Sequence, residues 1–99
     1  MIVESNNQKY HVRWYYYPEA KFPLQPGAVC IVQTIDSDGG VGRLTLFGEA
    51  YTSKKDIFNK KIGRKVSFAD VLLQFPKEER LTFWKAFFEM QHKDYLKEE

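Results

Sequence analysis

The sequence has few of the residues that build covalent cross-links, metal centres or membrane spans. Its single cysteine, Cys30, excludes a disulfide within the chain. The two histidines, His11 and His92, lie far apart, and no His/Cys/carboxylate cluster has the spacing of metal ligands. No apolar run approaches the roughly 20 residues of a membrane-spanning helix, and the N-terminus lacks the pattern of a secretory signal. We therefore expect a cytoplasmic protein with no metal, no cofactor and no membrane contact.

The motifs of common catalytic sites are also missing. The glycine-rich stretch DGGVGR at residues 38–43 lacks the Gly-Lys-Ser/Thr ending of a phosphate-binding loop, and nothing marks a nucleophile elbow. Cys30 lies in the apolar run AVCIV, where no cationic neighbour lowers the pKa of the thiol, so we expect it to be buried and unreactive. The sequence predicts that this protein is not an enzyme.

Aromatic residues, by contrast, are abundant. Phe, Tyr and Trp make up 16% of the 99 residues, and the hydrophobic share is 43%. Large rings are an efficient way to fill a small core. Length and composition therefore predict a single domain over residues 1–99.

The first half of the chain has the alternation and the turn residues of an antiparallel sheet. Lys9–Tyr17 is a strand candidate with Tyr10, Val12, Trp14 and Tyr16 on one face and His11, Arg13, Tyr15 and Tyr17 on the other. Ala28–Ile35 is almost continuously apolar, which predicts a central strand covered on both faces. Asp36–Gly40 predicts a hairpin loop, and Val41–Thr52 is the returning strand. Within that strand, Gly48 indicates a bulge or the close approach of another backbone.

The second half predicts two helices. Ser67 as N-cap and Asp70 three residues later form a pair like a capping box, which predicts a short helix over Phe68–Gln74. Pro76 suits the first position of a second helix that reaches about Lys97. We expect its buried stripe to contain Leu81, Trp84, Phe88 and Tyr95, widened by Phe87 and Met90.

The expected fold is therefore α+β. A small antiparallel sheet of three or four strands, including a short one at Met1–Val3, is followed by a short helix and a long C-terminal amphipathic helix packed on one face. Residues 1–52 are mainly β, residues 53–66 form a basic connecting loop, and residues 67–97 are helical.

The connecting loop carries the only strong cluster of one charge sign. Its six cations, against one acid, are Lys54, Lys55, Lys60, Lys61, Arg64 and Lys65. If Phe58 anchors the loop and Gly63 turns it, Arg64 and Lys65 precede the helix that starts at Ser67, whose free N–H groups favour an anion. The alternative is a solvated connector whose lysines keep a sheet edge soluble.

Arg13 and Tyr15 are secondary candidates for binding. Together with His11 and Tyr17 they would form a face that resembles a stacking platform for single-stranded nucleic acid. Packing in the core of a small sheet explains most of the same residues.

The basic segment also carries a motif. Residues 50–84 resemble small uncharacterised bacteriophage accessory proteins that share Asp-x-Phe-Asn/Ser-Lys, two residues, and then Gly-Arg-Lys. The matching positions here are Asp56, Phe58, Asn59, Lys60, Gly63, Arg64 and Lys65, with Arg80 and Trp84 further on. The segment VSFADVLL stands where those proteins have an Ala-rich stretch. The resemblance implies a phage or prophage origin and no particular activity.

Three functions remain open at this point. The first is a non-enzymatic phage-type accessory protein that binds and inhibits or redirects a host protein or protein–nucleic-acid complex, for example in counter-defence of the anti-CRISPR kind. The second is a small nucleic-acid-binding protein that uses residues 54–65, extended by Arg13 and Tyr15. The third is a homodimer that forms through surplus apolar residues on Leu81–Phe88.

Overall fold

Four strands in sequence order form one antiparallel sheet. The computed structural model describes residues 1–17, 27–51 and 59–98. The strands are β1 (Ile2–Ser5), β2 (Gln8–Tyr17), β3 (Gly27–Ile35) and β4 (Val41–Tyr51), and the sheet order is β1-β2-β3-β4. Two helices follow, α1 (Lys60–Leu72) and α2 (Lys77–Glu98). The predicted α+β class, with a sheet followed by a shorter and a longer helix, is confirmed.

Local sequence explains both described hairpin turns. Asn6 and Asn7 have positive φ (51° and 63°), as the central residues of a two-residue hairpin require. In the β3–β4 hairpin, Gly39 takes a φ of 88° and the N–H of Asp36 donates to the carbonyl of Gly40 at 2.8 Å. The loop predicted at Asp36–Gly40 is therefore confirmed.

The core lies between one face of the sheet and the two helices. The sheet contributes alternate residues such as Val12, Cys30 and Val32, which are at most 1% exposed. The helices contribute mainly aromatic rings. Phe68 of α1 stacks on Phe87 of α2 with the ring centroids 5.0 Å apart. Both helices therefore lie on the same side of the sheet.

This arrangement corrects one expectation for β3. Cys30 and Val32 face the helices and are buried, whereas Val29 and Ile31 face the other way and are partly exposed. The central position of the strand is confirmed, but among the described residues only the helices cover it, and they do so on one face. A continuous apolar run shows that both sides of a strand tolerate apolar residues, but a second covering layer has to come from elsewhere in the chain.

The start of α1 also differs from the prediction. The helix begins at Lys60, and its N-cap is Asn59, whose Oδ1 accepts from the backbone N–H of Lys61 at 3.0 Å and of Ile62 at 3.2 Å. The predicted start at Ser67 is wrong, and the second half of the predicted basic loop is helical. Residues 53–58 lie outside the described part of the chain, as does the contact expected for Phe58.

The residues assigned to that helix start have other roles. Ser67 is buried in mid-helix, and its hydroxyl donates to the carbonyl of Arg64 at 3.1 Å. The carboxylate of Asp70 accepts from the backbone N–H of Glu49 on β4 at 2.9 Å. Gly63 is buried within α1 and makes no left-handed turn. The Ser67 hydroxyl is thus held by its own helix, and the Asp70 carboxylate is held by β4.

In α2, the start near Pro76 is confirmed, but the predicted buried stripe is partly wrong. Phe83 and Phe87 are fully buried. Leu81 is 62% exposed and Phe88 is 51% exposed, although both were expected in the stripe. Trp84 is partly buried against the core and stacks on Phe88 at 5.7 Å. Neither described helix is long and apolar enough to cross a membrane.

Candidate functional site

The side of the sheet that faces away from the helices presents large aromatic side chains. Cross-strand partners share a face, so the register defines three rows: Arg13–Ile31–Phe47, Tyr15–Val29–Glu49 and Tyr17–Gly27–Tyr51. We call the surface formed by these nine residues the open face. Its four aromatic residues (Tyr15, Tyr17, Phe47 and Tyr51) are 44–55% exposed. None of the described residues forms a layer over them.

Beside the first row, a chain of hydrogen bonds crosses the sheet. Nη2 of Arg13 on β2 donates to Oε1 of Gln33 on β3 at 2.6 Å. Nε2 of Gln33 in turn donates to Oγ1 of Thr45 on β4 at 3.4 Å. These bonds hold Arg13 against the sheet, while its buried Nε has no hydrogen-bond partner among the described residues. Arg13 therefore retains an unused donor.

In the third row, the lack of a side chain at Gly27 lets Tyr51 lie across the strand. A Cβ at Gly27 would stand 2.9 Å from Cδ1 of Tyr51. A hydrogen bond with the Glu49 carboxylate, then desolvation and the nearby charges, raise the pKa of the Tyr51 hydroxyl. Tyr51 therefore remains protonated at neutral pH and offers a polar group at the end of an apolar ring.

Four of the six predicted cations lie on α1, on the opposite side of the sheet from the open face. Lys60, Lys61 and Lys65 are exposed and Arg64 is partly buried, whereas Lys54 and Lys55 lie outside the described residues. Since Asn59 already accepts from the first N–H groups of α1, the predicted placement of Arg64 and Lys65 just before a free helix start is wrong.

Two of these cations are in contact with β2. Nε of Arg64 donates to the hydroxyl of Tyr16 at 2.8 Å, and its guanidinium carbon lies 5.7 Å from the ring centroid of Trp14. Nε1 of Trp14 donates back to the carbonyl of Arg64 at 3.2 Å. Nζ of Lys60 lies 4.6 Å from the ring centroid of Tyr16. These contacts fix the first half of α1 against β2.

A cleft at the outer edge of β2 joins the two groups of predicted residues. It has a volume of about 440 Å³ and contains Arg13 and Tyr15 on one side, Arg64 and Met90 on the other, with Trp14 between them. The remaining lining residues are Met1, His11 and Val12. The nucleic-acid hypothesis extends the basic segment 54–65 by Arg13 and Tyr15, and the fold brings one cation of that segment, Arg64, to the same cleft as these two residues. We call this site the β2-edge cleft.

The β2-edge cleft is an electropositive environment. Partial burial, followed by the charges of the Met1 ammonium group and of Arg13, lowers the pKa of His11. Burial lowers the pKa of the Met1 amino group and so favours its neutral form, which leaves Arg13 and Arg64 as the permanent positive charges of the cleft. None of the described residues that line the cleft is acidic. The cleft therefore favours a negatively charged ligand.

Sequence reasoning missed the contribution of β4 to the open face. Phe47 and Tyr51 alternate with Leu46, Gly48 and Ala50, which face the helices. The signal was present, because small residues alternate with large ones where a helix packs closely on one side of a strand. Gly48 alone indicates a close approach on one side of β4, and its large neighbours indicate an open surface on the other.

The described residues show which chemical groups the protein offers to a ligand. No group of three or more His, Cys, Asp or Glu residues among them is placed to hold a metal ion. Burial raises the pKa of the Cys30 thiol to about 12, which removes the nucleophilic thiolate at neutral pH. The open face offers rings and hydroxyl groups, and the β2-edge cleft offers positive charge. No protein-family model, curated protein or solved structure matches this chain.

Proposed function

We propose that this protein acts by binding a partner protein through the open face, without catalysing a reaction. The observation that supports the proposal is the exposure of four aromatic side chains around Val29 and Ile31, on the side of the sheet opposite both helices. Contiguous apolar patches larger than a few hundred Å² are rare on monomeric proteins, and they commonly mark interaction sites.

The composition of the open face agrees with a protein partner. Tyrosine, phenylalanine and arginine are enriched in the centres of protein interfaces, where rings supply contact area and polar groups fix orientation. Here Tyr51 combines a ring with a protonated hydroxyl, and Arg13 is held in place by Gln33. A side chain that is already held in place loses little entropy on binding, so Arg13 is preorganised for contact with a partner.

We further propose that the partner is a host factor that this protein inhibits or redirects. The support is the resemblance of residues 50–84 to phage accessory proteins, carried by the motif from Asp56 to Lys65. An inhibitor that acts by binding its target needs a contact surface and no catalytic centre. The exposed aromatic residues of the open face provide such a surface.

The test is capture from a bacterial lysate with two matched variants. Phe47 on the open face is 55% exposed and Phe88 on α2 is 51% exposed, so serine at either position removes a similar exposed ring. We expect the unmodified protein and Phe88→Ser to retain the same host protein, and Phe47→Ser to lose at least 10-fold in retention by quantitative mass spectrometry. Equal retention by Phe47→Ser, or no retained protein above background, would contradict the proposal.

The second candidate function is binding of single-stranded nucleic acid. Tyr15 and Tyr17 lie two residues apart on one exposed face, with Arg13 beside them, which is the arrangement on which bases stack. The exposed cations Lys61 and Lys65 lie on the other side of the sheet, so this function would have to combine two surfaces.

Fluorescence anisotropy with an oligothymidine at low and at physiological salt distinguishes this candidate. Stacking on the open face predicts loss of binding in Tyr15→Ser, whereas use of the basic segment predicts loss in the double variant Lys61→Gln/Lys65→Gln. The affinity falls steeply with salt if the basic segment supplies several phosphate contacts. No binding at low salt eliminates nucleic acid as the partner.

A further inference from the structure

On the side of β2 that faces away from β3, the described pairing with β1 and Met1 ends at Val12, whereas β2 itself continues to Tyr17. Met1 and Val12 exchange two hydrogen bonds, from the N–H of Val12 to the carbonyl of Met1 at 2.8 Å and from the Met1 ammonium group to the carbonyl of Val12 at 3.1 Å. In an antiparallel ladder every second residue points its N–H and C=O to the same side. The N–H and C=O of Trp14 therefore point outward as those of Val12 do, and no described residue continues the ladder to Trp14.

The β2-edge cleft provides the space beside Trp14. A strand laid there would place alternate side chains on the two sides of the sheet. The residue opposite Trp14 would point toward Arg64 and Met90, and its neighbours would point toward Arg13 and Tyr15 on the open face. Each wall of the cleft would therefore contact one of the two sets of alternate side chains of an added strand.

The charge of the cleft selects the kind of strand. Arg13, Arg64 and the Met1 ammonium group line it, and none of its described lining residues is acidic. The buried Nε of Arg13 has no acceptor among the described residues. A second copy of this chain, paired edge to edge, would concentrate the cations of both copies along one edge, where like charges repel. Carboxylate side chains are the complement.

We propose that the edge of β2 at Arg13–Tyr15 binds an extended acidic segment of a partner protein, which joins the sheet as an antiparallel strand. This mode of recognition uses main-chain hydrogen bonds for affinity and alternate side chains for specificity. The inference rests on the proposed function, because the added strand would border the open face and belong to the same partner.

The experiment begins with a display library of random linear 12-residue peptides selected on the immobilised full chain. We expect the enriched peptides to carry Asp or Glu at adjacent positions, because neighbouring side chains of a strand face Arg64 on one side of the sheet and Arg13 on the other. Failure to enrich any sequence, or enrichment of peptides without acidic residues, overturns the inference.

The enriched peptide, made synthetically, then tests the geometry. We expect binding to slow hydrogen exchange of the Trp14 amide at least 10-fold, measured by NMR on the labelled protein. N-methylation of alternate peptide residues should abolish binding, and N-methylation of the intervening residues should be tolerated, since only every second N–H faces the sheet. An unprotected Trp14 amide, or an N-methyl scan without alternation, overturns the inference.

Charge reversal supplies a matched pair of variants. Arg13→Glu should weaken binding of the peptide at least 10-fold, whereas Lys77→Glu, which reverses an exposed charge at the start of α2, should leave the affinity within twofold. Because Arg13→Glu also breaks the bond to Gln33, the Trp14 exchange measurement on the unmodified protein decides independently. A Trp14 amide protected without peptide, together with a dimer in sedimentation, would assign the edge to a second copy instead.

The experiments can contradict this inference without contradicting the proposed function, and the reverse. If Phe47→Ser abolishes host-protein capture while Trp14 exchange is unchanged by the peptide, the open face binds its partner by side chains alone. If the peptide protects Trp14 while Phe47→Ser leaves host-protein capture intact, the edge is a binding site independent of the open face.

Discussion

Gly48 of β4 lies directly against Ser67 and Val71 of α1. A Cβ at Gly48 would stand 2.8 Å from Cβ of Val71, and it would meet the carbonyl oxygen of Ser67 more closely still. The absence of a side chain on β4 thus allows the two backbones to touch. This contact sets the height of α1 above the sheet.

Gly48→Ala should therefore destabilise the fold by about 1–3 kcal/mol, the usual cost of overpacking a close contact. Urea unfolding followed by tryptophan fluorescence measures the free energy of unfolding. Gly40→Ala is the control, because its Cβ would meet only the flexible Asp38 carboxylate at 3.1 Å. Equal stability of the two variants would mean that α1 does not sit on β4 as described.

Asn59 caps α1, so Asn59→Ala should lower the free energy of unfolding by about 1 kcal/mol. Asn59→Asp should retain the stability, since its carboxylate accepts the same N–H bonds and lies at the positive end of the helix. Thermal and urea unfolding of the three proteins provide the comparison. A stable Asn59→Ala variant would place the start of the helix elsewhere.

Arg64 should matter for stability as well as for charge, because it contacts both Tyr16 and Trp14. We expect Arg64→Met to lose about 1–2 kcal/mol of unfolding free energy. Lys65→Met removes the same charge from an exposed position and should change stability by less than about 0.5 kcal/mol. If an Arg64 variant loses binding, its stability must be compared with that of the Lys65 variant before the loss is attributed to a missing contact with the partner.

Cys30 should be inert in the folded protein. With the pKa of its thiol raised to about 12 by burial, the thiolate fraction at pH 8 falls by roughly three orders of magnitude relative to a free cysteine. Iodoacetamide labelling followed by mass spectrometry should therefore proceed only in denaturant. Rapid labelling of the native protein would show that β3 is accessible from solvent.

The pKa of His11 responds to the positive charges of the β2-edge cleft. Its pKa is lowered by burial and by the charges of Met1 and Arg13, so Arg13→Gln should raise the pKa toward the usual value of about 6.5. NMR titration of the imidazole measures the change, with Lys65→Gln as the control. An unchanged pKa in Arg13→Gln would remove Arg13 as a cause of the lowered pKa.

The sign of the corresponding pH dependence follows from linkage. Because His11 binds a proton more weakly in the folded chain than in the unfolded one, its contribution to stability is complete above about pH 6.5. The contribution is lost as the pH falls through the lowered pKa.

The sheet was predictable because its determinants are local. Period-two alternation in Lys9–Tyr17 divided β2 into the two faces that the structure has, and the Asn6–Asn7 and Asp36–Gly40 turns specify their hairpins through φ values that few residues tolerate. Pro76 likewise marked the start of α2 through its own backbone restriction.

The start of α1 was not predictable from capping signals alone. Asn59 and Ser67 are both good N-cap residues, and the choice between them depends on packing. Ser67 lies over Gly48 on another element, where its carbonyl is part of the helix. A contact between residues 19 positions apart in sequence therefore overrides the local preference at Ser67.

In α2, five large apolar residues within ten positions allowed more than one buried stripe. The structure selects Phe83 and Phe87, which pack on Phe68 of α1, and leaves Leu81 and Phe88 exposed. Periodicity fixes the angle between side chains on a helix, but the neighbouring elements fix which direction is inward.

The sequence by itself determined the strands, their turns, the α+β order and the division of β2 into two faces. Only the tertiary structure decided which of those faces the helices cover, and hence that Arg13 and Tyr15 lie on an open surface. It also decided that Arg64 reaches the same cleft as Arg13, from the opposite side of the sheet. Alternation and turn chemistry act over a few residues, whereas covering a face or meeting at an edge depends on contacts between elements distant in sequence.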